Sequence, residues 1–308
     1  MKLDFLRKIF SYKVVDEHIK LCVLGVHANI RQKVKIQTPK ITQSGVSGLQ
    51  KTKGRIICSL TSIPQRIDMV DIVVARLLNQ TLKPDMVVLY LASDEFPEGE
   101  KSLPEKLLAL KRFGLTVKFC KNYKSYKKLI PALMEFPDDY IITFDDDILY
   151  DFDAVENLWK SSQANPNCVC CYRTGRIKLV NGAISPISNN VLIWNHPNDA
   201  TYKNVIMSGT GTLFPPHSLY KDILNEDIFM KLMASNDEIF FWAMAVLNGT
   251  KIVNTKGFNY KCILIRQQQK VALSQINVAG SSKGIDGKSA LLLMAKTYPK
   301  IMEILENE

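Results

Sequence analysis

The sequence predicts an α/β protein with a mainly parallel central sheet and helices on both faces. From residue 55 to residue 144, short apolar runs that are typical of strands alternate with longer segments of helical spacing. Such alternation predicts a parallel sheet, because each helix returns the chain to the edge at which the next strand starts. Apolar residues make up 46% of the 308 residues and charged residues 23%, which is usual for a globular protein with a sizeable core.

Four strands and three helices are predicted in this part of the chain. The strands cover residues 55–62, 85–92, 115–120 and 140–144, and the helices cover residues 67–80, 104–114 and 127–136. Gly114 is typical of a residue that ends a helix. Ligands of parallel sheets bind beyond the carboxyl ends of the strands, so the residues after position 144 are the first candidates for a functional site.

The first sixth of the chain is much more basic than the rest. Residues 1–53 hold eleven Lys and Arg but only three acids, which accounts for +8 of the net charge of +10. Residues 2–10 have apolar side chains at helical spacing, and residues 37–53 have the Ser, Thr, Gly and Gln content of a linker. We therefore expect a basic amphipathic helical extension with its linker at 1–53, followed by one large domain at 54–308.

The expected N-terminal helix has more than one interpretation. It could pack on the large domain, or it could make peripheral contact with an anionic membrane. Nucleic acid is not an expected partner, because the segment lacks aromatic interleaving and any known reading motif. No run approaches the roughly 20 apolar residues that span a bilayer, so we expect a cytoplasmic protein. If the N-terminal helix contacts a membrane, the contact is expected to be peripheral and on the inner face.

Three consecutive aspartates follow the fourth predicted strand in the stretch YIITFDDDILYDF. In an extended chain Asp145 and Asp147 point the same way, so their charges repel unless a cation lies between them. Mg²⁺ and Mn²⁺ take oxygen ligands and often bind one or two carboxylates together with substrate phosphates. The alternatives are a solvated turn and a cluster that caps the helix predicted after residue 153.

These residues and two later motifs resemble the nucleotide-sugar-dependent glycosyltransferases of the A-type fold (GT-A). The resemblance consists of SLTSIPQRI after the first strand, D-x-D at the end of the fourth strand, MSGTGTLFPP at 207–216 and SNDEIFFWAMA at 235–245. It covers residues 54–290 and implies a catalytic domain of the kind found in bacterial surface polysaccharide and lipopolysaccharide synthesis. It also implies a nucleotide-sugar donor such as a UDP-sugar, Mn²⁺ or Mg²⁺, and a glycan or lipid-linked glycan acceptor.

The resemblance also implies roles for individual residues. The nucleotide is expected near Thr61, Ser62, Pro64, Arg66, Asp94, Lys127, Asp145 and Asp146. The metal is expected on Asp145 and Asp147, and the acceptor-side loop at Gly209, Thr210 and Gly211. A surface position for Arg66 and a plain turn at Asp94 remain alternatives. Either Lys127 or Lys128 is expected to approach the diphosphate, and the other is expected to be solvated. The last histidine is His217, so the C-terminal histidine that many metal-dependent members supply is missing, and another residue or water must take its place.

Asp237 and Glu238 are the candidates for a general base that deprotonates an acceptor hydroxyl in an inverting reaction. Ser235 and Glu238 fit the S-x-x-E pattern of a capping box, which would occupy Glu238. We therefore prefer Asp237 as the base.

Two other functions remain open. A nucleotidyltransferase also joins paired acids to a metal and a nucleotide, but it needs a glycine-rich basic loop after the first strand, and SLTSIPQRI contains none. A non-enzymatic carbohydrate- or lipid-binding module would use the acids structurally.

Overall fold

The computed structural model describes residues 38–49, 52–184, 197–255 and 285–308, together with the backbone of five strands outside these ranges. All statements below concern these residues. The strands, in chain order, are β1 (Phe10–Val15), β2 (His18–Val23), β3 (Val26–Ile30), β4 (Ile56–Thr61), β5 (Met86–Ala92), β6 (Leu115–Cys120), β7 (Tyr140–Phe144), β8 (Ile148–Leu149), β9 (Val169–Cys171), β10 (Thr174–Ile177), β11 (Leu179–Val180), β12 (Ala183–Ile184), β13 (Leu192–Ile193), β14 (Asn204–Ile206), β15 (Thr212–Phe214), β16 (Ile252–Asn254) and β17 (Ile263–Leu264).

The α-helices of the described residues lie between and after these strands. They are α1 (Val70–Leu77), α2 (Glu105–Leu108), α3 (Ile130–Glu135), α4 (Ala154–Ala164), α5 (Glu226–Leu232), α6 (Asp237–Leu247), α7 (Gly287–Thr297) and α8 (Lys300–Glu306). Short 3-10 helices are found at Ile67–Met69, Gly99–Ser102, Ala109–Phe113, Lys124–Lys128, Ser208–Thr210 and Lys221–Leu224.

A seven-stranded sheet forms the centre of the large domain. Its strands lie in the order β16-β9-β15-β7-β4-β5-β6. Six of them run parallel, and β15 is antiparallel to both of its neighbours, β7 and β9. The predicted α/β class, the four predicted strands and their parallel pairing are confirmed.

Helices cover both faces of this sheet, as predicted. On one face, the apolar side chains of α1, α2 and α4 pack on those that β4, β5 and β7 direct to that side. On the other face, α3 and α5–α8 form a second core with the alternate side chains of the strands. α6 lies deepest, because ten of the eleven residues from Asp237 to Leu247 are buried.

Two predicted helices are shorter than expected, for local reasons. The helix predicted at 104–114 is α only to Leu108 and continues as a 3-10 helix to Phe113, where Gly114 ends it with a left-handed φ of 112°. The helix predicted at 127–136 becomes α-helical only at Ile130, which puts Pro131 in its first turn. Proline is tolerated there because the first-turn N–H groups have no partner within the helix.

The N-terminal extension differs from the expectation where the structure describes it. Three strands, β1–β3, form an antiparallel sheet between residues 10 and 30, where a helical extension was expected. The helix predicted at 2–10 lies outside the described residues, apart from Phe10, which begins β1. Among the described residues, none of the helices is long and apolar enough to cross a bilayer.

Residues 38–49 are irregular, as a linker would be, but they are fixed to the large domain. Thr38 Oγ1 donates to Asp71 Oδ2 at 2.7 Å, and Ser47 Oγ donates to Asp85 Oδ1 at 2.5 Å. The backbone N–H of Gly45 donates to the carbonyl of Phe113 at 2.7 Å. We name residues 38–49 the strap, because they hold the chain against the face that carries α1.

A substitution at Gly45 tests the attachment of the strap. A Cβ at this position would lie 2.5 Å from Leu78 Cβ and 2.7 Å from the Leu78 carbonyl oxygen. Since the backbone oxygen cannot move aside cheaply, we expect Gly45→Ala to lower the free energy of unfolding by about 1–3 kcal/mol, measured by urea denaturation. A Cβ at Gly287 meets open space, so Gly287→Ala is the control and should unfold at the wild-type urea concentration. Equal stability of the two variants would contradict the packing of the strap.

Candidate active site

The three aspartates lie at the carboxyl edge of the central sheet, directly after β7. Asp146 and Asp147 form a tight turn between β7 and the two-residue strand β8, which pairs with β17. The parallel strands β4, β5 and β6 end at the same edge. The expectation that the acids lie at a strand end beside the end of β4 therefore agrees with the geometry.

Ser62 and Arg66, which follow β4, hold the middle aspartate. Ser62 Oγ donates to Asp146 Oδ2 at 2.6 Å, and Arg66 Nη1 donates to Asp146 Oδ1 at 2.7 Å. The same nitrogen of Arg66 lies 3.4 Å from Asp147 Oδ2. Asp146 and Asp147 are only 4% and 8% exposed, so the alternative of a solvated turn is wrong. A surface position for Arg66 is also wrong, since only 12% of its side chain is exposed.

The charges of this group perturb one another. Burial lowers the pKa of Arg66, but Asp146 and Asp147 outweigh burial, so the pKa is raised and the guanidinium stays charged. Burial raises the pKa of Asp146 by more than Arg66 and Ser62 lower it. The guanidinium thus lies between two acids that have little access to water.

Asp145 is the most exposed acid of the triplet and belongs to a second ion-pair group. About a third of its side chain, 31%, is exposed, and its Oδ1 accepts a hydrogen bond from Lys128 Nζ at 2.8 Å. The same nitrogen lies 2.9 Å from Asp237 Oδ2. Of the two candidate lysines, Lys128 therefore lies beside the acids, whereas Lys127 is buried and pairs with Glu95 at 2.8 Å. The expectation that one of the two is solvated is wrong.

The loop with the two glycines packs directly on Asp145. A Cβ at Gly209 would lie 2.7 Å from Asp145 Oδ2, so a larger residue there would displace the Asp145 carboxylate. Gly211 has a φ of +102°, and a Cβ would meet Phe144 and Tyr172 at 3.3 Å. Thr210 Oγ1 donates to the Met207 carbonyl at 3.0 Å, within the loop itself.

Tyr150 joins this loop to the aspartate turn, and sequence reasoning did not identify it. Its hydroxyl accepts the backbone N–H of Asp145 at 2.8 Å and donates to the carbonyl of Gly209 at 2.7 Å. The ring is buried against Phe144, with centroids 4.6 Å apart. The one sequence signal is an aromatic residue with a hydroxyl three positions after the triplet, which is too common to be informative.

The start of α6 corrects the expected capping box. Asn236 is the N-cap, with its side chain accepting from Ile239 N at 3.3 Å, whereas Ser235 Oγ accepts from Ile285 N at 3.1 Å. Ser235 is therefore not the N-cap that the capping box requires, and the carboxylate of Glu238 accepts the N–H of Gly209 at 3.4 Å. The reason for preferring Asp237 to Glu238 as the base therefore fails.

The two acids of α6 also differ in access and in charge environment. Asp237 is 5% exposed and paired with Lys128, while Glu238 is partly exposed. Burial raises the pKa of the Glu238 carboxyl to about 7. The charges of Asp237 and Asp145 act in the same direction, and the charge of Lys128 opposes them. A carboxyl with a pKa near neutrality can exchange a proton at physiological pH.

Three residues expected near the nucleotide lie at the ends of β4 and β5, and the hydrogen bonds described for them are not with the acids. Thr61 Oγ1 donates to the Tyr90 carbonyl on β5 at 2.8 Å. Pro64 is exposed in the turn after β4. Asp94 is exposed after β5 and accepts from Asn122 Nδ2 at 3.4 Å. All three belong to the same sheet edge as the aspartates.

A substitution at Tyr150 tests how the turn and the loop are held. Tyr150→Phe removes the partner of Asp145 N and of the Gly209 carbonyl, which should cost about 1–3 kcal/mol of unfolding free energy. We expect faster hydrogen exchange at the Asp145 amide, measured by NMR or mass spectrometry. Tyr172, whose hydroxyl donates to the Ala154 carbonyl at 2.8 Å, provides the control: Tyr172→Phe should leave exchange at Asp145 unchanged. Unchanged exchange in Tyr150→Phe would show that the hydroxyl does not hold the turn.

Comparisons with known proteins identify the family. Among solved structures, the chain is similar to the Francisella tularensis 2-C-methyl-D-erythritol 4-phosphate cytidylyltransferase (14% identity, TM-score 0.42, 73% of this chain and 99% of that one). It is also similar to the mannosyltransferase PcManGT from Pyrobaculum calidifontis in complex with GDP-Man and Mn²⁺ (12%, 0.41, 87% and 76%). These scores are too low to carry an argument about function, and no curated protein matches the sequence. The sequence model of the family described as Glycosyl transferase family 2 matches residues 65–229, which is more than half of the chain, and the protein therefore belongs to glycosyl transferase family 2.

Proposed function

We propose that this protein is a metal-dependent glycosyltransferase that moves a sugar from a nucleotide-sugar donor to a hydroxyl of a glycan or lipid-linked glycan. A UDP-sugar is the proposed donor. The supporting observation is the charge balance at the carboxyl edge of the sheet, where five carboxylates surround two cations. The carboxylates belong to Asp145, Asp146, Asp147, Asp237 and Glu238, and the cations to Arg66 and Lys128.

The carboxylate oxygens of the aspartate triplet suit a hard divalent cation. Both oxygens of Asp146 already accept hydrogen bonds from Ser62 and Arg66, so Asp145 and Asp147 are the proposed metal ligands. Oxygen ligands of this kind suit Mn²⁺ and Mg²⁺, which commonly bind few protein carboxylates and complete their coordination with phosphate and water. Within the described ranges, no group of three or more His, Cys, Asp or Glu side chains could hold a metal ion by itself. When bound, the ion would stabilise the negative charge that develops on the departing diphosphate.

Glu238 is the proposed general base. Its raised pKa suits proton transfer near neutral pH, whereas Asp237 is buried and paired with Lys128. The N–H of Gly209 orients its carboxylate. Asp237, which is paired with Lys128, is proposed to help position Glu238. This assignment applies to an inverting reaction.

The nucleoside is proposed to lie over the ends of β4 and β5. Pro64 and Asp94 are exposed there, and Thr61 and Lys127 belong to the wall of that region. The basic extension, with +8 of the net charge of +10, supports peripheral contact with an anionic membrane and hence a lipid-linked acceptor of the kind used in surface polysaccharide synthesis.

The metal hypothesis is tested at Asp147. We expect Asp147→Asn to fold and to lose at least about a hundredfold in turnover of the nucleotide sugar, because it removes a ligand of the proposed ion. Release of UDP from a panel of UDP-sugars, measured with and without Mn²⁺, reports the turnover. Asp153→Asn is the control, since Asp153 is exposed and makes no side-chain cap hydrogen bond. Wild-type turnover by a folded Asp147→Asn protein would end the metal hypothesis.

The base assignment predicts a pH dependence. Because only the ionised carboxylate of Glu238 accepts a proton, transfer should be slow below pH 7, rise through pH 7 and level off above it. Glu238→Gln should remove most of the activity and abolish this rise in what remains, as determined from kcat between pH 5.5 and 9, a range that spans about 1.5 units below and 2 units above neutrality. An unchanged pH profile in Glu238→Gln would assign the base to another residue.

A further inference from the structure

Lys128 lies between the two sides of the proposed reaction centre. It is the last residue of the 3-10 helix Lys124–Lys128, and only 5% of its side chain is exposed. Its ammonium is 2.8 Å from Asp145, at the end of β7, and 2.9 Å from Asp237, at the start of α6. These two acids belong to elements that are far apart in sequence, and one nitrogen atom contacts the carboxylates of both.

Stability alone does not account for this arrangement. Removing an ammonium and two carboxylates from water costs several kcal/mol per ion, and apolar residues of similar size are often as stable or more stable in such places. The neighbouring Lys127 shows the simpler case, since it pairs with the single partly exposed Glu95. Lys128 instead lies between two carboxylates, those of Asp145 and Asp237.

The glycine loop links the same two sides a second time. Gly209 packs on Asp145 Oδ2 so closely that a Cβ would lie 2.7 Å away, and its N–H contacts Glu238 at 3.4 Å. Asp145 and the acids of α6 are thus connected by the loop on one side and by Lys128 on the other. Two independent connections between the same groups indicate that their separation is controlled.

We propose that Lys128 is a positioning residue whose ammonium holds the donor-side acid Asp145 at a fixed separation from the acceptor-side pair Asp237 and Glu238. This inference rests on the proposed function, and it adds a residue that neither binds substrate nor transfers a proton. Misplacement of reacting groups by about 1 Å can cost a hundredfold in rate, so the separation of the two sides determines kcat. Lys128 acts through Asp145 and Asp237 and leaves the metal ligands otherwise intact.

The proposal is tested with Lys128→Met, which keeps the length of the side chain and removes its charge. We expect kcat for the nucleotide sugar that the wild type turns over to fall by about tenfold to a hundredfold, with KM changed less than about threefold. Affinity for Mn²⁺, measured by electron paramagnetic resonance without nucleotide, should stay the same or increase, because a cation that competes for Asp145 is gone. Lys128→Arg, which keeps the charge, should recover part of kcat.

Arg55→Met is the matched control. Arg55 pairs with the buried Asp139 at 2.6 Å, at the amino end of β7 and opposite the acids. Its loss also leaves a buried carboxylate without its cation, so it should lower the melting temperature without lowering kcat.

Three results would overturn the positioning role. The first is a wild-type kcat in folded Lys128→Met. The second is a rise in KM and in the Kd of UDP at constant kcat, because that result would mean that Lys128 binds the diphosphate. A fall in melting temperature alone, as in Arg55→Met, would make the role structural. If Lys128→Met does not fold, Lys128→Arg decides: reduced kcat with unchanged UDP affinity supports the proposal, and wild-type kcat contradicts it. A wild-type protein inactive on every nucleotide sugar would remove the proposed function, and that result is seen without any variant.

Discussion

The excess of negative charge at the carboxyl edge of the central sheet is the constraint on which the rest of the site depends. Acids that lie this close together repel one another unless cations are held beside them. In the part of the chain that the structure describes, Arg66 and Lys128 are held beside these acids, from the segments that follow β4 and precede β7. Because both segments are set by the parallel sheet, the fold itself brings the compensating charges to the acids.

The antiparallel strand β15 determines how the second half of the site is built. It lies between β7 and β9 and runs against both, so its start, not its end, faces the aspartates. The glycine loop therefore enters the sheet at the acidic edge and can contact Asp145 and Glu238 through its backbone. A parallel strand in this position would have placed that loop at the opposite edge.

The sequence predicted the features that depend on periodicity and spacing, and missed those that depend on which way a side chain faces. The parallel strands and the position of Asp145–Asp147 follow from local patterns. The choice between Lys127 and Lys128 does not, because a 3-10 helix points adjacent residues differently from an α-helix. The cap at Asn236 instead of Ser235 is a one-residue shift that propensity cannot resolve. The strands between residues 10 and 30 were not predicted, because a short apolar run can form either a strand or part of a helix.

The strap gives the N-terminal extension a defined point of departure. Thr38 is bonded to Asp71 in the first turn of α1, which starts just after the segment that carries Ser62 and Arg66. Residue 38 consequently lies at the carboxyl edge of the sheet, which carries the acids, and not at the amino edge. The basic residues that precede it in the sequence are therefore joined to the large domain at the same edge as the proposed donor site.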